Sequence, residues 1–171
     1  MNRPTTEHIT RNDESRAQAE PWVSWNGNIV HSYDTVVSPG TEEELAEAVR
    51  SARRVRVYGN KQSSSDIAAG TETLIDSSRY NRILSFDEEA GRVTVQSGVT
   101  LKDLMHEIET RGWTFPCLPD IDTVRIGGAL ATGTHGTAGD AHPLAEYMVA
   151  ARLIKADGSI EEIDESSDLM P

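Results

Sequence analysis

The feature that most restricts the fold of this chain is a stretch with little side-chain bulk, residues 119–139, which reads PDIDTVRIGGALATGTHGTAG. It contains five glycines, four threonines and several alanines. Small residues at this density let the backbone approach a flat or charged ligand more closely than larger side chains allow. The segment is therefore either a ligand-binding loop with hydroxyl donors, or the tightly packed start of a helix in which glycine relieves crowding.

A second segment of small and polar residues, YGNKQSSSDIAAG, occupies residues 58–70. It follows a short β-type run at 55–58 and offers little apolar surface but many backbone N–H groups. A loop of such groups can hold phosphate without positively charged side chains. Neither segment matches GxxxxGK(S/T) or GxGxxG, which disfavours a P-loop nucleotide site and a nicotinamide Rossmann domain. Together the two segments favour a ligand site over idle surface loops.

Charge and cysteine content limit the possible partners. The net charge is −12, with 28 acidic and 16 basic residues, which argues against general binding of nucleic acid or anionic membranes. The single cysteine and five scattered histidines predict neither a disulfide framework nor a metal site. Residues 1–20 lack the apolar core of a secretion signal. We expect them to form a disordered polar leader, and the protein to be cytoplasmic.

The first part of the chain, about residues 30–90, has the pattern of a small α/β lobe. Thr41 and the three glutamates after it form a capping-box pattern at a helix start. Strands are expected near 36–37, 55–58 and 73–76, on either side of this helix. The helix should bury the apolar stripe Leu45, Ala48, Val49 and Ala52.

The second part, about residues 91–171, has the pattern of a lobe with antiparallel strands and helices. A hairpin is expected over residues 83–96, and Thr100 should cap a helix that ends near Gly112. A further hairpin, 148–163, should turn at an Asp-Gly pair. The predicted fold class is therefore α+β, a domain of residues 21–171 with two lobes.

Several motifs, in this order, resemble the FAD-binding domain (PCMH type) of the sugar-lactone and alditol oxidases in the vanillyl-alcohol-oxidase flavoprotein superfamily. The resemblance runs from about residue 22 to 163, and ATGTHGT is its most specific part. It implies a two-lobed α+β domain that clasps FAD between its lobes. The matching segments are WNGN at 25–28, SPGTEEE at 38–44, RVRVYG at 54–59, SSSDI at 63–67, LPDID at 118–122 and GGALATGTHGTAG at 127–139.

The resemblance also implies which residues bind the cofactor. The loop after strand 55–58 would wrap the pyrophosphate, and residues of the segment 119–139 would line the flavin and the rest of the dinucleotide. Arg125 stands where relatives place a small hydroxyl residue, so it either neutralises the cofactor, points away or crowds the site. His135 either contacts the cofactor or is hydrogen-bonded inside the glycine-rich turn. The expected cofactor-binding residues are Tyr58, Gly59, Asn60, Lys61, Gln62, Ser63, Ser64, Asp120, Arg125, Gly128, Thr132, Gly133, Thr134 and His135.

One substitution bears on how FAD would be held. Many relatives carry Gly-His-Ser in the pyrophosphate loop, and that histidine is bonded covalently to the flavin. Here the matching residues are Lys61, Gln62 and Ser63. A glutamine amide is not a nucleophile, so we expect FAD to be bound non-covalently. The motif that surrounds a second linking cysteine in more distant relatives is not matched around Cys117, which we expect to be a buried inert thiol.

The chain stops at Pro171, before the substrate domain that the resemblance would add. We therefore expect the FAD-binding domain or subunit of an oxidoreductase that acts on CH–OH groups of a sugar lactone or polyol. Its catalytic residues would lie outside this chain, and its partners would be FAD and either a separate substrate-domain chain or a second copy. One alternative is a flavin-free descendant that acts as a binding or assembly partner. Another is nucleotide binding without redox chemistry.

Overall fold

The computed structural model describes residues 20–139 and 142–170. The predicted leader therefore lies outside the described residues, except for Glu20. Within these ranges the chain forms nine β-strands, three α-helices and two short 3-10 helices. The helices are α1 (Glu42–Ser51), α2 (Leu101–Glu109) and α3 (Ile126–Ala131), with 3-10 helices at Ser77–Arg79 and Leu144–Tyr147. The strands are β1 (Trp22–Val23), β2 (Val30–His31), β3 (Thr35–Val37), β4 (Val55–Tyr58), β5 (Thr73–Asp76), β6 (Ile83–Asp87), β7 (Arg92–Val95), β8 (Ala150–Ile154) and β9 (Ile160–Asp164).

A three-stranded parallel sheet in the order β3-β5-β4 organises the first part of the chain. Helix α1 is the crossover between β3 and β4, which are parallel and lie on either side of β5. The central strand β5 has an apolar middle, Leu74 and Ile75. Successive side chains of a strand point to opposite faces of the sheet, and both of these are buried, so both faces are covered here. At the carboxyl edge, Tyr58 of β4 is paired with Asp76 of β5, and the small-residue segment 58–70 starts there.

Helix α1 begins where the capping pattern predicts, with one correction to its packing. The Thr41 side chain accepts a hydrogen bond from the Glu44 N–H at 3.2 Å. The buried residue of the helix is Ala46, whereas the predicted apolar stripe is only partly buried. The reason is a contact with the turn between β8 and β9: a Cβ added to Gly158 would lie 3.1 Å from the Ala46 carbonyl oxygen. Helical periodicity alone cannot show such a contact.

The second part contains the larger hydrophobic cluster, which we call the main cluster. Its buried members come from α2, α3, the 3-10 helix at 144–147 and the residue before Thr100: Val99, Leu101, Leu104, Met105, Ile108, Ile126, Ala129 and Leu144. The hairpin β6–β7 packs against it. The predicted lobe boundary at residues 90 and 91 lies in the turn of this hairpin, so the division into two lobes remains a prediction.

A smaller cluster, which we call the Trp22 cluster, lies beneath the small-residue segment 58–70. Trp22, Ala68 and Leu74 are its buried members, and Tyr58 packs against it. The Trp25 N–H donates to the Lys61 carbonyl at 3.1 Å, which ties the β1–β2 hairpin to the loop after β4. Parallel and antiparallel sheets together with helices confirm the α+β class. Within the described ranges, the helices all fall short of the length and apolar character that crossing a bilayer demands.

Candidate functional site

A cleft of about 180 Å³ lies between the loop that follows β4 and the start of α3. The two small-residue segments are distant in sequence, and the fold brings them together as opposite walls. Trp22 closes the base of the cleft. The lining residues are Trp22, Val57, Tyr58, Gly59, Asn60, Lys61, Gln62, Ser63, Ser65, Ile67, Ala68, Val124, Arg125, Gly128, Ala129, Thr132 and Thr134.

Most of the predicted site residues line this cleft, and four do not: Ser64, Asp120, Gly133 and His135. Ser64, Asp120 and His135 have exposed side chains, while Gly133 adopts φ +63° after α3. The His135 ring places Nδ1 2.8 Å from the Gly136 carbonyl oxygen, which is the arrangement expected of a histidine bonded inside the glycine-rich turn. Cofactor binding by these four residues remains a prediction.

The backbone of the loop after β4 offers free donors. Among residues 20–139 and 142–170, no acceptor receives a hydrogen bond from the N–H groups of residues 60–64. Lys61 sits in this run with φ 59°. A left-handed residue inside a series of N–H groups is typical of the concave backbone sites that bind anions. The loop is fixed to the opposite wall, because Asn60 Nδ2 donates to the Thr123 carbonyl at 2.5 Å.

Arg125 is held at the N-cap position of α3 by a short antiparallel contact with residues 97–102. Leu101 N–H donates to the Val124 carbonyl at 2.9 Å, and Ile126 N–H donates to the Val99 carbonyl at 2.8 Å. The Arg125 Nη1 donates to the Gly98 carbonyl at 2.5 Å. Its Nε is buried with no hydrogen-bond acceptor among the described residues.

The aliphatic part of the Arg125 side chain leaves little room for any side chain at position 59. A Cβ added to Gly59 would lie 3.1 Å from the Arg125 Cβ and 3.2 Å from its Cγ and Cδ. This glycine therefore allows the arginine side chain to lie across the loop. The guanidinium itself donates to the Gly98 carbonyl, so its role toward a bound cofactor remains a prediction.

The charge at the cleft is positive although the chain as a whole is acidic. The Lys61 Nζ lies 5.4 Å from the Tyr58 ring centroid, and Arg125 lines the opposite wall. Burial, and then the nearby Asp76 carboxylate with its hydrogen bond, raises the pKa of Tyr58 to about 12. The phenol is therefore neutral at physiological pH, and the charged side chains among the lining residues are those of Lys61 and Arg125.

The adjacent glycines of α3 serve different purposes. A Cβ on Gly127 would lie 2.8 Å from the Ser97 Cβ, so this glycine relieves crowding at the helix start. A Cβ on Gly128 would meet nothing within 4 Å, and Gly128 faces the cleft. The tight-packing interpretation therefore holds at Gly127, whereas ligand binding at Gly128 remains a prediction. Farther along, Gly136 packs directly on the sulfur of Cys117, which is buried as expected.

Sequence reasoning missed several lining residues. Trp22 and Ala68 reach the cleft from the Trp22 cluster, and Val124 and Ala129 flank predicted residues on the other wall. The signal for the last pair was their adjacency to Arg125 and Gly128. The full set of missed residues is Trp22, Val57, Ser65, Ile67, Ala68, Val124 and Ala129.

A wider surface depression of about 460 Å³ lies elsewhere, between α2 and β6, and contains none of the predicted site residues. Asp103, His106 and Glu107 contribute its ionisable groups. In the part of the chain that the structure describes, no group of three or more His, Cys, Asp or Glu side chains is arranged to hold a metal ion.

Comparison with known proteins identifies the family. A family model described as FAD binding domain matches residues 33–164. The L-gulono-1,4-lactone dehydrogenase of Mycobacterium tuberculosis is 33% identical over 153 residues, which cover 87% of this chain and 36% of that protein. The L-gulonolactone oxidase of Mus musculus is 35% identical over 152 residues, which cover 88% of this chain and 34% of that protein. The chain thus spans about a third of the length of these relatives.

Among solved structures, cholesterol oxidase from Brevibacterium sterolicum matches with a TM-score of 0.75 over 86% of this chain and 32% of that one. At 17% identity this is a likeness in fold alone. The resemblance that the motifs predicted is confirmed by the family model and the relatives together. The chain belongs to the FAD binding domain family.

Proposed function

We propose that this chain is the FAD-binding part of an oxidoreductase that acts on CH–OH groups of a sugar lactone or a polyol. Family membership supports the cofactor, and the names of the two curated relatives, a lactone dehydrogenase and a lactone oxidase, support the substrate class. The observation that carries the proposal is the cleft at residues 60–63. There, unpaired backbone N–H groups meet two cationic side chains.

The residues present fit the diphosphate of a dinucleotide. The N–H groups of 60–64 can donate to phosphate oxygens, and Lys61 and Arg125 offset the negative charge. Gly128 leaves open space that a side chain would occupy, whereas the space beside Gly59 is filled by the Arg125 side chain. Sites that enclose a whole ligand usually measure about 300–1,000 Å³. A cleft of about 180 Å³ therefore suits the diphosphate and the groups next to it rather than an entire dinucleotide.

When bound, FAD supplies the hydride acceptor for oxidation of a carbon that bears a hydroxyl group. The residues of this chain bind and orient the cofactor. Arg125 and the loop N–H groups fix the position of the diphosphate, while Tyr58 contributes a neutral wall. We place substrate recognition on a further domain or on a partner chain, which is either a separate substrate-domain chain or a second copy of this one. The single cysteine suits a reducing compartment, which supports a cytoplasmic location.

We also propose that FAD is held non-covalently. Gln62 lines the cleft at the position where many relatives of this type carry the linking histidine. Its carboxamide has no nucleophilic nitrogen, so the chain offers no covalent attachment there. The consequence is that the cofactor should exchange with free FAD.

The test is a titration of the purified chain with FAD, followed by gel filtration and acid precipitation. We expect flavin absorbance to co-elute with the protein, and the flavin to appear in the supernatant after precipitation. Flavin retained in the pellet would contradict non-covalent binding. A chain that does not change flavin fluorescence at micromolar FAD would contradict FAD binding and favour the flavin-free alternative. ADP that binds as tightly as FAD would instead favour nucleotide binding without redox chemistry.

A further inference from the structure

Lys61 carries a charge that no carboxylate neutralises within the described residues. Its Nζ lies 5.7 Å from the Trp22 ring centroid and 5.4 Å from the Tyr58 ring centroid. In residues 20–139 and 142–170, none of the ion pairs within 4.0 Å includes this lysine. A lysine that makes no such ion pair is informative in a chain of net charge −12. Its ammonium group is available to an anion that enters the cleft.

The backbone conformation of Lys61 also supports a role in anion binding. Lys61 is the one residue other than glycine with positive φ in the described ranges. Glycine adopts this conformation without steric strain, whereas a residue with a Cβ does so at a cost. Lysine at this position therefore adds a cation in the middle of the unpaired N–H groups, at the expense of local strain. The Trp25 N–H holds the Lys61 carbonyl in place at 3.1 Å.

The two cations of the cleft differ in their freedom to respond to a ligand. The Arg125 guanidinium already donates to the Gly98 carbonyl, and its aliphatic part packs across Gly59. The Lys61 ammonium is held only by aromatic faces, a weak attraction that a charged oxygen can replace. Lys61 is therefore the cation that can turn toward a ligand.

Resting on the proposed function, we propose that Lys61 is the counter-cation of the FAD diphosphate. Its charge strengthens a site that has no covalent link, because Gln62 stands beside it in place of a nucleophile. Recognition by a mobile ammonium makes FAD affinity dependent on ionic strength. It also favours ligands with a diphosphate over those that lack phosphate.

The test measures FAD dissociation constants for the full chain and its variants at 50 mM and 500 mM salt, by quenching of flavin fluorescence. K61M should weaken FAD binding by about tenfold at low salt, in line with a hydrogen bond to a charged group. The loss should shrink at high salt, and K61R should retain affinity within about threefold. K102M is the matched control, because it removes the same charge from an exposed position on α2 and should bind FAD as the wild type does.

Further measurements keep folding and binding apart. K61G suits the left-handed backbone, so it should fold even if K61M does not, and it should lose the same FAD affinity. ADP competition should weaken in K61M by the same factor as FAD binding. Equal FAD affinity in K61M and K102M would overturn the role of Lys61 and leave the proposed function intact. A loss of the same size at both salt concentrations would also overturn it. Absence of FAD binding by the wild type would overturn both proposals.

Discussion

Tyr58 illustrates how one residue can belong to the core and the cleft together. It ends β4, packs against the Trp22 cluster and lines the cleft. Its ring meets Trp22 edge-on at 6.3 Å, and the Asp76 carboxylate lies near enough to raise its pKa. Burial and that carboxylate favour the protonated phenol. The residue therefore presents a neutral surface to the cleft at any pH that the protein is expected to meet.

This arrangement predicts a loss of stability at high pH. The pKa of Tyr58 rises from 10.0 to about 12 in the folded chain, so between these values the unfolded chain releases a proton that the folded chain keeps. The free energy of unfolding should therefore be unaffected below pH 10 and should fall as the pH rises toward 12. Urea denaturation across this range, for the wild type and Y58F, measures the effect. The variant should show a shallower decline, and parallel declines would contradict the assignment.

The orientation of the Arg125 side chain could not be predicted from the sequence. The sequence indicated a guanidinium near the glycine-rich segment, with three possible orientations. Its position follows from the Gly98 carbonyl and from the absence of a side chain at Gly59, both far away in sequence. Neither feature can be read from the neighbours of Arg125 in the chain.

At the scale of elements, α3 connects the core with the cleft. It has six residues, too few for a helix to be stable alone. Ile126 and Ala129 anchor it in the main cluster, and Gly127 N–H donates to the Ser97 carbonyl at 2.8 Å. Tertiary contacts therefore stabilise the helix. Its two glycines have different surroundings, because Gly127 faces Ser97 and Gly128 faces the cleft.

A pair of neighbouring substitutions tests this interpretation of α3. G127A should lower the free energy of unfolding by about 1–3 kcal/mol, because the new methyl group overlaps Ser97. G128A should leave stability unchanged or raise it by up to about 1 kcal/mol, because alanine favours helix and the space is open. It should nevertheless weaken FAD binding, since the methyl group enters the cleft. Chemical denaturation and FAD titration measure both effects, and each variant is the other's control. Equal losses of stability would refute the distinction.

At the scale of the whole molecule, the cleft joins the two hydrophobic clusters. One wall rests on the Trp22 cluster and the other on the main cluster, through Ala68 and Ala129 respectively. Asn60 and Arg125 link the walls directly. A ligand that contacts both walls should therefore stabilise both parts of the fold.

Binding of FAD should consequently raise the melting temperature of the chain. At a free concentration 100 times the dissociation constant, the expected gain is about 2.7 kcal/mol, or roughly 5–10 °C for a chain of this size. Hydrogen exchange should slow in residues 59–65 and in 126–134 together. Adenosine, which has no phosphate, is the control and should cause a much smaller shift. Slower exchange on one side only would contradict a ligand that bridges the walls.

The sequence by itself determined the local elements and the family. The helix starts at Thr41 and Thr100, and the turn at Gly158, are encoded by residues within a few positions of each other, so capping and turn chemistry predicted them. The two hairpins followed from strand patterns and turn residues in the same way. The order of motifs identified the FAD binding domain before any contact was known, and it named most of the residues that line the cleft.

Only the tertiary structure decided which faces are covered and which stay open. It buried Ala46 beneath a distant turn and brought Trp22 under Lys61. It also placed Gly127 against Ser97 and Gly128 against open space. These outcomes depend on pairs of residues far apart in the chain. Periodicity and capping act over a few residues, whereas such contacts form only when the whole chain closes around its core.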